Sequence, residues 1–108
     1  MNYFIKKITA TDTYPVRHLV LRAGKPIESC RFEGDELPST HHFGCFLDNQ
    51  LIGVVSLFEA ENLNLGAGKS FQIRGMAVID SHQKQGVGET LVHKAEDFCR
   101  NENATLIW

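Results

Sequence analysis

The sequence predicts an α/β (α+β) domain in which helices flank a mixed, mostly antiparallel sheet. Three observations carry that prediction. Phe71–Arg100 reads as a strand, a tight glycine turn and a long amphipathic helix. His41–Leu47 and Leu51–Phe58 are apolar runs on either side of Asp48-Asn49-Gln50, a β-hairpin signal. Val16, Leu19, Val20 and Ala23 stand at i, i+3, i+4 and i+7, the stripe of a helix that packs against a sheet. At 108 residues the chain has room for one domain, spanning residues 1–108.

Composition narrows the function classes. A hydrophobic fraction of 43% and a charged fraction of 22% are those of an ordinary globular chain. A net charge of −2 leaves no basic stripe to displace counterions, so nucleic acid is not an expected partner. Cys30, Cys45 and Cys99 are scattered in no metal-ligand spacing, and His41, His42 and Cys45 lack a second ligand cluster. No metal is expected. No segment resembles a signal peptide and no apolar run is long enough to span a bilayer. The expectation is no membrane partner and a reducing, cytoplasmic setting.

Taken in order, Tyr3–Ile8 mixes aromatic, β-branched and lysine residues and predicts a strand near a sheet edge. Thr11 or Asp12 is the expected cap of the first helix, Pro15 is tolerated in its first turn and Gly24 ends it. Arg17, His18 and Arg22 are expected on its solvated or flanking faces. Lys25–Thr40 has no period and predicts a loop with one short helical turn. Leu51–Phe58, apolar on both faces, predicts a central strand. Glu59–Ser70 reads as a long connector, and Gly68-Lys69-Ser70 is only the tail of a P-loop, since Leu63 stands where the first glycine belongs. Phe71, Ile73, Gly75 and Ala77 alternate onto one face of the next strand, with Gln72, Arg74 and Met76 on the other. Val87, Leu91, Ala95 and Phe98 form the buried stripe of the last helix, and Thr105–Trp108 begins a further strand.

The glycine turn carries the chemistry. A helix that opens on glycines just after a strand presents unpaired backbone N–H groups and the positive end of its dipole. Gly86 and Gly88 let an anion approach that backbone closely. A dinucleotide fingerprint fails at Leu91, and a P-loop fails because Glu89 and Thr90 follow Gly88. What remains is Gln83-Lys84-Gln85-Gly86-Val87-Gly88, a Q-x-x-G-x-G turn behind an apolar strand ending Met76-Ala77-Val78.

That pattern resembles the acyl-CoA binding motif of the GNAT family of N-acetyltransferases. The upstream segments LRAGKP and CRFEGDELPSTHHFG look familiar within one subgroup of acyltransferases. The resemblance implies the acyl-CoA N-acyltransferase fold, with acetyl-CoA as co-substrate. Coenzyme A would be held along Met76, Ala77 and Val78 and by the turn Gln83, Lys84, Gln85, Gly86, Val87, Gly88, Glu89 and Thr90. It implies transfer of an acetyl group to a primary amine of a small molecule or peptide, with a backbone amide near Met76 or Ala77 stabilising the oxyanion. The motif-strand glutamate that often serves the family as base falls on Gln72, which cannot take a proton. Arg74, on the same face, is a candidate to hold an acceptor carboxylate or to pair with Glu33 or Asp35. Glu28, Glu33, His41 and His42 are the other candidate bases, and none is singled out by spacing. The chain ends where the family continues through a further helix and strand, so it reads as the N-terminal two-thirds of the fold. Gln72 and that ending keep a second reading open, an acyl-CoA-binding module without turnover. They also leave an apolar edge at Leu106–Trp108 on which a homodimer could form.

Overall fold

Five strands form one sheet in chain order: β1 (Tyr3–Ile8), β2 (His41–Leu47), β3 (Gln50–Ala60), β4 (Lys69–Val78) and β5 (Ala104–Ile107). The computed structural model describes residues 3–60 and 69–107. The first four strands are antiparallel neighbours, and β5 joins β4 in parallel through the helical crossover α2 (Val87–Asn101). The second long helix, α1 (Ala10–Val20), follows β1. The β2–β3 turn is tight because Asp48 (φ 50°) and Asn49 (φ 67°) both adopt the left-handed conformation, one that Asp and Asn tolerate.

The two helices cover opposite faces of the sheet, as the two sets of β3 side chains show, although a register shift against β2 puts Ile52 and Val54 on opposite faces. Ile52, Val55 and Leu57 join Phe43, Cys45, Phe71, Val87, Leu91, Ala95 and Cys99 in the core under α2. Val54, between them in sequence, packs with Val16 and Ala77 under α1. The α2 stripe therefore runs in steps of four and ends on Cys99. Phe98, expected in that stripe, is only partly buried and instead makes edge contacts with the rings of Phe43 and Phe71.

The first helix departs further from its sequence pattern. Its cap is Thr9, not Thr11 or Asp12: the Thr9 hydroxyl accepts from the Asp12 amide and the Asp12 carboxylate from the Thr9 amide. With the start moved forward, Pro15 falls inside the helix rather than in its first turn, and the helix ends at Val20, before Gly24. The buried face becomes Ala10, Thr13, Val16 and Arg17, while Leu19 is 68% exposed. Arg17, expected on a solvated face, is wholly buried.

Arg17 is tolerated there because both of its terminal nitrogens are hydrogen-bonded, although Nε is buried without a partner among the described residues. Its Nη1 donates to Asp35 Oδ2 at 2.6 Å and to the Cys30 carbonyl at 2.8 Å. Its Nη2 donates to Asp35 Oδ1 at 3.1 Å and to Ser56 Oγ at 2.9 Å. The guanidinium also lies 4.0 Å from the centre of the Phe32 ring. Ser56, with its oxygen taken by Arg17, turns its own proton toward His42 Nδ1 at 2.7 Å. That leaves His42 Nε2 to donate to the Asp35 carbonyl at 2.9 Å. The loop Lys25–Thr40, with its expected helical turn at Ile27–Cys30, is thus fastened to α1, β2 and β3.

Residues 61–68 of the expected connector, including Gly68 of the P-loop tail, and Trp108 at the expected C-terminal edge lie outside the described residues. Lys69 and Ser70 open β4, a strand where a P-loop would need a helix.

Two stability outcomes follow from this packing. Asp35→Leu leaves the Arg17 charge buried without its partner and should cost about 3–5 kcal/mol, whereas Arg17→Met with Asp35→Leu should recover most of that loss in urea unfolding. The second outcome concerns His41, whose Nδ1 is buried without a partner and whose ring lies 4.4 Å from that of Phe98. Burial first, and Lys7 second, hold its pKa below the usual 6.5. Its neutral form is favoured by folding, so stability present above pH 6.5 is lost as pH falls toward the folded pKa. His41→Phe should flatten that acid-side decline in urea midpoints between neutral pH and about pH 5.

Candidate active site

Strand β4, the turn after it and the first turn of α2 come together as the sequence predicts. Gln83 ties the turn to the strand, its amide nitrogen donating to the Val78 carbonyl at 2.8 Å and to Asp80 Oδ1 at 3.1 Å. Lys84 (φ 64°) and Gly86 (φ 85°) are both left-handed, and Gly86 caps α2 without a side-chain bond. The first hydrogen bond of the helix runs from the Thr90 amide to the Gly86 carbonyl at 3.0 Å. The amides of Val87, Gly88 and Glu89 therefore precede the helical ladder. A side chain at Gly86 would meet no protein atom within 4 Å, so the space before this backbone is open.

The side chains of the turn serve mostly to build it. Besides Gln83, the Thr90 hydroxyl donates to the Gly86 carbonyl at 2.8 Å, and Gln85 Oε1 accepts from the Tyr3 hydroxyl at 3.2 Å. Val87 is buried in the core and Gly88 lies against Val78. Glu89 stands 4.0 Å from His93 one turn on. Lys84 is exposed.

Along β4 the alternation is broken. Ser56 faces Arg74 and Val54 faces Ala77, so Gly75 and Met76 together stand opposite Val55. Gly75 (φ 64°) supplies the left-handed residue of this bulge. Phe71 and Ile73 pack toward α2, but beyond the bulge Val78 does so while Ala77 packs toward α1. Ala77 has thus left the face of Phe71 and Ile73, and by alternation Met76 has left the face shared by Gln72 and Arg74. The parallel pairing with β5 ends at Gln72 and Ile107. Among the described residues, Ile73–Val78 have no strand partner on that side.

The residues beside the bulge were only partly foreseen. Arg74 does not pair with Asp35, which Arg17 already holds; its guanidinium lies 4.9 Å from the centre of the Phe58 ring. Gln72 is half-buried on the same strand face. His42 has both ring nitrogens engaged in the Arg17 network, and His41 sits against Phe71 and Phe98 on the α2 side, away from Arg74. Glu28 and Glu33 are exposed on the loop. Arg17, Asp35 and Ser56 were missed as a unit. The spacing of Ala10, Thr13 and Arg17 (i, i+3, i+7) is the available signal, but it is legible only if a cation is admitted to a buried stripe. Burial pushes the thiols of Cys30, Cys45 and Cys99 up, so none is an activated thiolate.

Comparison with known proteins gives a consistent result. A family model described as the acetyltransferase (GNAT) family matches residues 8–108. The chain is 31% identical over 104 residues to the uncharacterized N-acetyltransferase YitI of Bacillus subtilis (strain 168), covering 96% of this chain and 70% of that protein. Among solved structures it is similar to AAC(6')-Iy in complex with a bisubstrate analogue, with a TM-score of 0.79 and 16% identity over 100% of this chain and 78% of the other. It is also similar to a ribosomal-protein-alanine N-acetyltransferase from Brucella melitensis biovar Abortus 2308, with a TM-score of 0.74 and 16% identity over 97% and 80% of the two chains. At these identities the two structures bear on the fold alone.

The bulge makes a specific demand on residue 75. An added Cβ would stand 2.8 Å from Phe32 Cε2 and 3.3 Å from Arg17 Nε, on a backbone that side chains rarely adopt. Gly24 has a similar φ of 78° with nothing within 4 Å. Gly75→Ala should destabilise by about 1–3 kcal/mol and Gly24→Ala by only about 1 kcal/mol, so urea unfolding of the pair separates crowding from backbone strain.

Proposed function

This chain belongs to the GNAT acetyltransferase family, and from that premise we propose that it transfers an acetyl group from acetyl-CoA to a primary amine of a small molecule or peptide. The observation that carries the reading is the open backbone of the Lys84–Gly88 turn, set directly after a β4 edge left unpaired among the described residues. The donor fits these residues. The amides of Val87, Gly88 and Glu89, with the α2 dipole behind them, suit a pyrophosphate, and the open space before Gly86 admits it. The unpaired edge at Met76, Ala77 and Val78 suits an amide-bearing arm that hydrogen-bonds as an added strand.

Acetyl-CoA supplies an acetyl group activated as a thioester, and its transfer to an amine that starts as the ammonium ion breaks the C–S bond, forms the amide and releases the thiol and one proton. The bulge at Gly75 and Met76 turns backbone amides out of the β3–β4 ladder, and a fixed amide dipole is suited to developing negative charge on the carbonyl oxygen. An alkyl amine with a pKa near 10 must lose its proton first, a penalty of roughly 4 kcal/mol at neutral pH. Gln72 cannot accept that proton and His42 has no free nitrogen, which favours removal of the proton through water. The same two residues support the second reading, an acyl-CoA-binding module without turnover.

Calorimetry with coenzyme A tests the binding claim, and acetyl-CoA consumption over a panel of amines tests transfer. Binding without any amine-dependent consumption would favour the second reading. Gly86→Val should weaken coenzyme A binding by roughly tenfold or more, about 1.4 kcal/mol, by placing a branched side chain in the open approach. Unchanged affinity in a variant that still unfolds cooperatively would remove the turn from the donor site.

A further inference from the structure

Three guanidinium groups surround one aromatic ring beside the β4 bulge. Arg17 lies 4.0 Å, Arg22 5.7 Å and Arg74 5.9 Å from the centre of Phe32. Arg17 is buried and neutralised by Asp35. The ion pairs of the other described arginines engage Arg31 with Glu36 and Arg100 with Asp97, and include neither Arg22 nor Arg74. Two exposed cations without carboxylate partners among the described residues therefore share a ring with a third. The end of α1 favours one cation, since Arg22 follows its C-cap Leu21. It does not account for Arg74, which comes from β4.

Phe32 and Arg74 are held in place by their neighbours. Phe32 is fixed from below by Arg17, its amide donates to Asp35 Oδ2 at 2.8 Å, and its ring edge abuts Gly75. Arg74 lies over a second ring, Phe58, at 4.9 Å. Stacking on a ring orients a guanidinium while leaving its N–H edge free to donate. A planar fork of donors recognises a carboxylate or phosphate by paired hydrogen bonds. Arg74 also stands one residue before the bulge where the amine is proposed to react.

The geometry points to Arg22 and Arg74, on the Phe32–Phe58 platform, as the site that binds an anionic oxygen group, carboxylate or phosphate, on the acceptor amine. This rests on the acyltransferase reading above and deepens it: the acceptor is an amine that also carries a negative charge. Both arginines are positioned to select substrate, and no proton transfer is assigned to them.

The test compares matched amines, alanine against alaninamide and O-phosphoethanolamine against ethanolamine, by steady-state kinetics with acetyl-CoA. The anionic member of at least one pair should show kcat/KM roughly tenfold higher or more, and the pair that responds separates carboxylate from phosphate. Arg22→Gln and Arg74→Gln should each raise KM for that amine by roughly tenfold with kcat little changed, and Arg74→Lys should recover part of the loss. In parallel, nitrogen NMR of the arginine Nε–H groups follows titration with the same amines in the presence of coenzyme A. Saturable shifts at Arg22 and Arg74, with Arg31 and Arg100 as paired controls, are expected. Such shifts without turnover of any amine would sustain this site while overturning the transferase reading. Turnover equal for charged and neutral amines, or no shift at either arginine with any anionic amine, would overturn this site whatever becomes of that reading.

Discussion

The fold depends on keeping one charge out of water. Arg17 sits under the sheet with no exposed surface, and an isolated guanidinium in that position would be prohibitive. Its cost is offset by the bidentate bond to Asp35 and by Cys30 and Ser56, so the Lys25–Thr40 loop and β3 both supply partners to α1. A segment without hydrophobic periodicity, Lys25–Thr40, is consequently held by polar bonds rather than by an apolar stripe. The relay through Ser56 fixes the His42 tautomer as well, since a serine that accepts from arginine has its proton left for Nδ1.

The same network reaches the motif strand. Phe32 and Arg17 press on Gly75, the left-handed residue of the β4 bulge, so the loop and the bulge are mechanically one unit. The bulge exchanges which side chains face each helix, and among the described residues β4 is not paired with β5 beyond Gln72. One glycine thus couples the Lys25–Thr40 loop to the strand along which the donor is proposed to lie.

At the other end of β4 the division of labour is between side chain and backbone. Gln83, Gln85 and Thr90 spend their hydrogen-bonding capacity on the turn itself. The backbone amides at the start of α2 are what the turn presents outward, together with Lys84. This is the arrangement suited to an anion recognised by charge and shape rather than by a particular side chain. The acceptor site proposed above lies farther back along β4, beside Arg74.

The sequence by itself determined the strands, the β2–β3 hairpin, the α2 stripe as far as Ala95 and the glycine turn, because each is written in local periodicity or in residues with special backbone freedom. Only the tertiary structure decided the cap of α1, where Thr9 and Asp12 satisfy each other and displace the hydrophobic stripe by part of a turn. It alone decided the bulge, since a local pattern of alternating residues does not record that Gly75 must yield to Phe32. Above all it decided the place of Arg17: a cation reads as surface until Asp35, eighteen residues away, is brought beneath it. Pairing between distant charges has no period, and that is why the helix, strand and turn were legible while the network that locks them together was not.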